Sequence, residues 1–137
     1  MRSLYLADQV SVLPFRPPAW VTRVDRQQRR RGRVLFFANF DRDENREAAS
    51  WLVNECAPWV FAAHPEFRLV LAGAGSDRLL AQLPSKSWLS ATGFVEDPAL
   101  EFGQADFCIA PLARGAGVKF KVLEALAAKA PVIATPV

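Results

Sequence analysis

From Arg33 onward, short apolar runs alternate with stretches whose apolar residues recur at three- and four-residue steps. The runs at 34–38, 67–72, 88–91, 106–111 and 131–135 are nearly continuous in Val, Leu, Ile, Phe and Ala, as expected of strands buried on both faces of a parallel sheet. Between the first two runs, Ala48, Trp51, Leu52, Cys56, Trp59, Val60 and Ala63 fall on one stripe of a helix, and Pro58 is placed to kink or divide it. The shared stripe puts both tryptophans in the core rather than on a surface where sugars stack. Further helices are predicted at 76–82, opened by Ser76 as a cap, at 98–103 and at 118–129. Five strands alternating with four helices predict an α/β fold, a doubly wound parallel sheet whose ligands bind beyond the carboxyl ends of the strands.

Residues 1–32 follow a different pattern: a strand-like run at 10–13, the turn-prone Pro14, Pro17 and Pro18, then an arginine-rich stretch. Arg23, Arg26, Arg29, Arg30, Arg31 and Arg33 face only Asp25, a local excess of five positive charges in a chain of net charge +3, so the remainder is net negative. That distribution excludes a domain whose folded surface tracks a nucleic-acid backbone. We read 1–32 as a linker or arm, a solvated connector rather than a contact for nucleic acid or an acidic membrane. Residues 33–137 form the domain proper.

A length of 137 residues with 51% apolar composition fits one domain with a genuine core. No apolar run is long enough to span a membrane and the start lacks the order of a secretory signal, which points to a cytoplasmic protein and leaves room for peripheral membrane contact. Cys56 and Cys108 lie in apolar segments and read as buried thiols, not a disulfide framework. His64, at the end of a helix, has no Cys or Asp cluster around it, so no metal site is expected.

The segment most suited to chemistry is the loop Pro111-Leu112-Ala113-Arg114-Gly115-Ala116-Gly117-Val118, which follows a buried run and opens the helix carrying Lys119, Lys121 and Glu124. Helix openings attract anions through unpaired N–H groups and the positive end of the dipole, and small residues let a diphosphate approach the backbone. Lysines in a first turn oppose that dipole unless an anion sits there; as solvated surface groups they would cost a few tenths of a kcal/mol each. Glu124, among apolar neighbours, calls for a donor: Lys121 three residues back, or a ligand hydroxyl. Gly73-Ala74-Gly75 lacks the third glycine and the acidic partner of a dinucleotide fingerprint.

Taken in order, Gly93-Phe94-Val95-Glu96-Asp97, Ala110-Pro111-Leu112, Gly115 through Ala127, and Pro131-Val132-Ile133-Ala134-Thr135-Pro136 resemble the donor-binding domain of retaining glycosyltransferases of family 4. The opening run Leu35 to Asp41, with Asn45 and Trp51 after it, is similar to the same family. The resemblance spans 33–137 and implies one Rossmann-like half of a GT-B fold, C-terminally incomplete, since that family adds helices covering the sheet. It implies that Glu124 holds the ribose hydroxyls of a nucleoside-diphosphate sugar. Arg114, Gly115, Gly117, Val118, Lys119 and Lys121 would bind the diphosphate, and Phe94 and Val95 would line the nucleobase. No cofactor or metal is implied, and no catalytic residue is assigned with certainty. Two departures stand out: Ala116 occupies the place of the family's first glutamate, and Arg42 is the only candidate for its usual basic pair after the first strand.

Three functional readings follow. The first is the donor half of a sugar-transferring enzyme of bacterial surface polysaccharide or glycolipid synthesis, its acceptor site on a missing N-terminal domain. The second is a nucleotide-binding module or truncated relic without transfer of its own. The third makes the arginine arm a nucleic-acid contact, which the charge distribution disfavours.

Overall fold

The structure, a computed structural model, describes residues 14–114 and 118–136. The strands β1 (Arg33–Phe37), β2 (Arg68–Ala72), β3 (Leu89–Ala91), β4 (Phe107–Ala110) and β5 (Val132–Ala134) each fall within a run predicted from the sequence, give or take a terminal residue. They pair in parallel in the order β3-β2-β1-β4-β5. The order reverses direction between β1 and β4, so the helices must lie on both faces. The fold is therefore the doubly wound, Rossmann-like α/β sheet that the sequence implied.

The two faces are built from alternate strand residues. Val34, Phe36, Leu69 and Leu71 point to the face covered by α1 (Asp43–Trp51), α2 (Ala57–Ala63) and α3 (Ser76–Leu80). Leu35, Val70, Ala72 and Cys108 point to the other, covered by α4 (Ala99–Gln104) and α5 (Phe120–Ala127). Phe36, Leu35, Leu69 and Leu71 are fully buried, each contributing roughly 1.5–3 kcal/mol of apolar burial. Burial also pushes the Cys108 thiol up to about 12, which leaves it an inert core group.

Three expectations are corrected by the structure. Trp51 and Trp59 are not core residues: they are 50% and 79% exposed. Ahead of Pro58 the helix widens into a π turn over Leu52–Cys56, and one extra residue per turn rotates everything after it by about 100°. Ala48 and Leu52 are buried as the stripe predicts, and Ala49, Val53 and Ala57 complete the buried face in place of the tryptophans. Ser76 is not a cap; Gly75 holds that position, and the buried Ser76 hydroxyl accepts a hydrogen bond from the Gly93 N–H at 2.9 Å, tying α3 to the end of β3.

The third correction concerns the arginine stretch, which is docked on α4 although Arg23, Arg29 and Arg31 keep more than half of their side chains exposed. Short 3-10 turns at Ala19–Arg23 and Arg26–Gln28 lie along α4. Trp20 stacks on Phe102 with ring centroids 4.8 Å apart, and one Arg26 Nη donates to the carbonyls of Phe102 and Ala105 at 2.6 and 2.7 Å. These carbonyls end a helix and have no acceptor-filling partner within it, so a guanidinium fork satisfies them. Gly103 admits the segment: a side chain there would meet the Asp25 carbonyl at 2.9 Å. Arg23, Arg29 and Arg31 pair with Asp97, Asp106 and Glu66 across 3.1–3.9 Å, which explains why a local positive excess coexists with a folded body. The strand-like run at 10–13 lies outside the described residues.

Candidate functional site

Beyond the carboxyl ends of β1, β2, β3 and β4 lies an open cleft of about 540 Å³, at the point where the strand order reverses, the standard ligand position in such sheets. Its walls bring together Arg114, Val118, Lys119, Lys121 and Glu124 from the β4–α5 connection and α5, and Phe94 and Val95 from the segment after β3. Segments far apart in sequence thus meet because each follows a strand of one parallel sheet. Gly115 and Gly117 lie outside the described residues.

The floor is backbone held close. Gly73, at φ 122°, sits so near the end of β1 that a side-chain carbon would lie 2.1 Å from the Ala38 carbonyl oxygen. The Gly73-Ala74-Gly75 turn is therefore a packing requirement at the rim of the cleft.

The charged groups are individually placed. The Arg114 guanidinium donates through Nε and Nη2 to both carboxylate oxygens of Glu47, at 3.1 and 2.6 Å, a fork that bridges the loop to α1. Arg42 stands 3.8 Å from Glu44, and both line the cleft. Lys119 is the N-terminal capping residue of α5. Lys121 is half-buried; its ammonium donates to Asn45 Oδ1 at 2.5 Å and lies 5.5 Å from the Phe36 ring centroid. Burial lowers its pKa to about 8, against the opposing effect of Glu44 and with a smaller push from Lys119 and Arg42.

Lys121 does not serve as the partner of Glu124. Both have side chains in the cleft, but Lys121 reaches across to α1, and among the described residues no hydrogen bond or ion pair to the Glu124 carboxylate is found. Burial alone raises the Glu124 pKa, as for a carboxylate held against apolar surface. A carboxylate and several cations lining one cleft can hold a ligand with hydroxyls and an anionic group.

Sequence reasoning singled out the cleft's basic residues and Glu124 but passed over Asn39, Glu44, Asn45 and Phe120 as lining groups. Asn45 was named only through the family resemblance, since the first turn of its helix, Asp43-Glu44-Asn45-Arg46, is polar throughout. Among the described residues no three His, Cys, Asp or Glu side chains converge as a metal site would require, and no helix is long and apolar enough to cross a membrane.

Residues 31–137 match the family described as glycosyl transferases group 1. Over 101 residues the chain is 30% identical to an uncharacterized 44.6 kDa protein in the cps region of Klebsiella pneumoniae, covering 68% of this chain and 26% of that one. Among solved structures it is similar to the pneumococcal O-GlcNAc transferase GtfA, crystallised in complex with UDP and GlcNAc. That likeness has a TM-score of 0.63 at 14% identity and covers 83% of this chain and 22% of GtfA; it is a likeness of fold. The chain spans about a quarter of the length of each of these relatives.

Proposed function

This chain belongs to the group 1 glycosyl transferases, and from that premise we propose that its cleft binds the donor, a nucleoside-diphosphate sugar, for a retaining transferase. The observation that carries the reading is the convergence of Lys119, Lys121 and Arg114 with Glu124 in one cleft at the opening of α5. In transfer, the bond between the anomeric carbon and the diphosphate oxygen breaks as an acceptor hydroxyl forms the new glycosidic bond and gives up its proton. Negative charge gathers on the departing diphosphate. Preplaced cations and the positive end of α5 stabilise it there without reorganisation. Glu124, lacking an internal donor among the described residues, accepts from the ribose hydroxyls. Exposed Phe94 offers an apolar ring to the base.

The acceptor, the opposite wall of the cleft and any catalytic group acting on the sugar belong, on this reading, to a further domain, consistent with the relatives being about three to four times as long. The similarity to a protein of a cps region supports assignment to surface polysaccharide or glycolipid synthesis, with a cytoplasmic donor pool. Ala116, where the family has its first glutamate, keeps a second reading open: a module that binds nucleotide without transferring sugar. Turnover separates the two, because binding is common to both.

The test is calorimetric titration of uridine, guanosine and adenosine diphosphates and their sugars. At least one should bind, Glu124→Ala should weaken it by about tenfold or more, as loss of a charge-assisted hydrogen bond does, and affinity should fall as pH rises through about 8, where Lys121 gives up its proton. Absence of binding by every nucleotide, with the fold intact, would reject the proposal.

A further inference from the structure

Among the described residues, Asn45 and Ser76 are the buried polar side chains, and Asn45 is 4% exposed at the base of the cleft. Its two amide ends are engaged differently. Nδ2 donates to the Asn39 carbonyl at 2.7 Å, in the loop after β1, and Oδ1 accepts from the Lys121 ammonium at 2.5 Å. A carbonyl only accepts, so Asn39 fixes which way the amide faces: nitrogen toward the loop, oxygen toward the cleft.

We propose that Asn45 is a positioning residue that fixes the Lys121 ammonium where a diphosphate meets the first turn of α5; the inference rests on the donor-binding reading above. A lysine carries four rotatable bonds, and holding it before the ligand arrives removes an ordering cost from binding. The Phe36 ring, 5.5 Å from the ammonium, supplies the second side of the holder. Asparagine suits the position chemically. A carboxylate there would neutralise the lysine and repel a phosphate, whereas an apolar side chain would leave a half-buried ammonium without its acceptor. The charged groups around Lys121 are Glu44 and Arg42 from α1 and its leading turn, Lys119 and Glu124 from α5, and Arg114 from the preceding loop. None of them gives Lys121 a hydrogen bond; Asn45 does.

The experiment uses the full 137-residue chain, inorganic pyrophosphate as probe, and NMR of lysine labelled at Cε. In the unsubstituted protein the Lys121 signal should titrate near pH 8 and show a single held conformation; a midpoint near the ordinary 10.5 with free averaging overturns the proposal without any variant. Asn45→Ala should weaken pyrophosphate binding about tenfold, as should Lys121→Ala, and combining them should cost at most about threefold more than either. Losses that simply multiply would show that Asn45 acts structurally and not through Lys121. Asn45→Asp should raise the Lys121 midpoint by about one unit or more while also weakening pyrophosphate. If pyrophosphate binds no form of the protein while the Lys121 midpoint still follows residue 45, the diphosphate reading fails and takes this role with it, although the clamp itself stands.

Discussion

The two halves of the sheet are built to different standards. Around β1 and β2, Phe36, Leu35, Leu69 and Leu71 are sealed between helices on both faces. Around β5 and α5, Ile133, Leu126, Phe120 and Val118 are all more than half exposed, and only small residues, Ala125, Ala128 and Ala130, are fully buried. Yet the β4–α5 loop and α5 supply most of the charged groups of the cleft. The lesson is that the first half holds the shape, and the second half, held by little burial of its own, presents the chemistry. Regions with few buried apolar contacts open at lower free energy than the core, and ligand-contacting elements are drawn from them.

This contrast can be broken from the side of greatest effect downward. Gly73→Ala should abolish cooperative folding, a loss of more than about 4 kcal/mol, because it forces a side chain into the Ala38 carbonyl at a φ that L residues rarely adopt; circular dichroism against temperature reads it. Leu71→Ala should cost about 2–5 kcal/mol in denaturant titrations, while Ile133→Ala costs less than about 1 kcal/mol. Equal losses at the two sites would erase the distinction between the halves. The smallest effect is on Glu124→Gln. Burial raises the Glu124 pKa in the folded state, so the folded protein holds the proton more tightly, and the penalty of the ionised carboxylate is absent at acidic pH, grows as pH rises from the ordinary carboxylate value to the raised one and is complete above it. The substitution should therefore stabilise the protein at neutral pH, by less than about 1 kcal/mol because the group is half-exposed and screened, show no gain in acid, and weaken nucleotide binding.

The architecture was legible because the strands are buried on both faces and so form continuous apolar runs, which periodicity reads well. The cleft was legible for a related reason: in a parallel sheet, residues following different strands share one edge, so Phe94, Arg114, Lys119 and Glu124 meet although the chain separates them. What sequence did not show depends on phase and on docking. A π turn at Leu52–Cys56 leaves no mark in a 3.6-residue pattern, yet it turns Trp59 outward. The arginine stretch looked like a connector by composition, and only the geometry of the α4 end shows Arg26 filling its carbonyls. Lys121 was one of two donors considered for Glu124 on the same helix, whereas its ammonium bonds to Asn45, 76 residues away in the chain.

Amide chemical-shift mapping of the 15N-labelled chain, titrated with uridine, guanosine or adenosine diphosphate, tests the placement of the site most directly. Saturable shifts should concentrate at 118–121, at Glu124 and at Phe94 and Val95, while the indole of Trp59, on the outer surface of α2, stays unmoved. Saturable shifts centred on the arginine stretch or on α2, with the opening of α5 silent, would contradict the account.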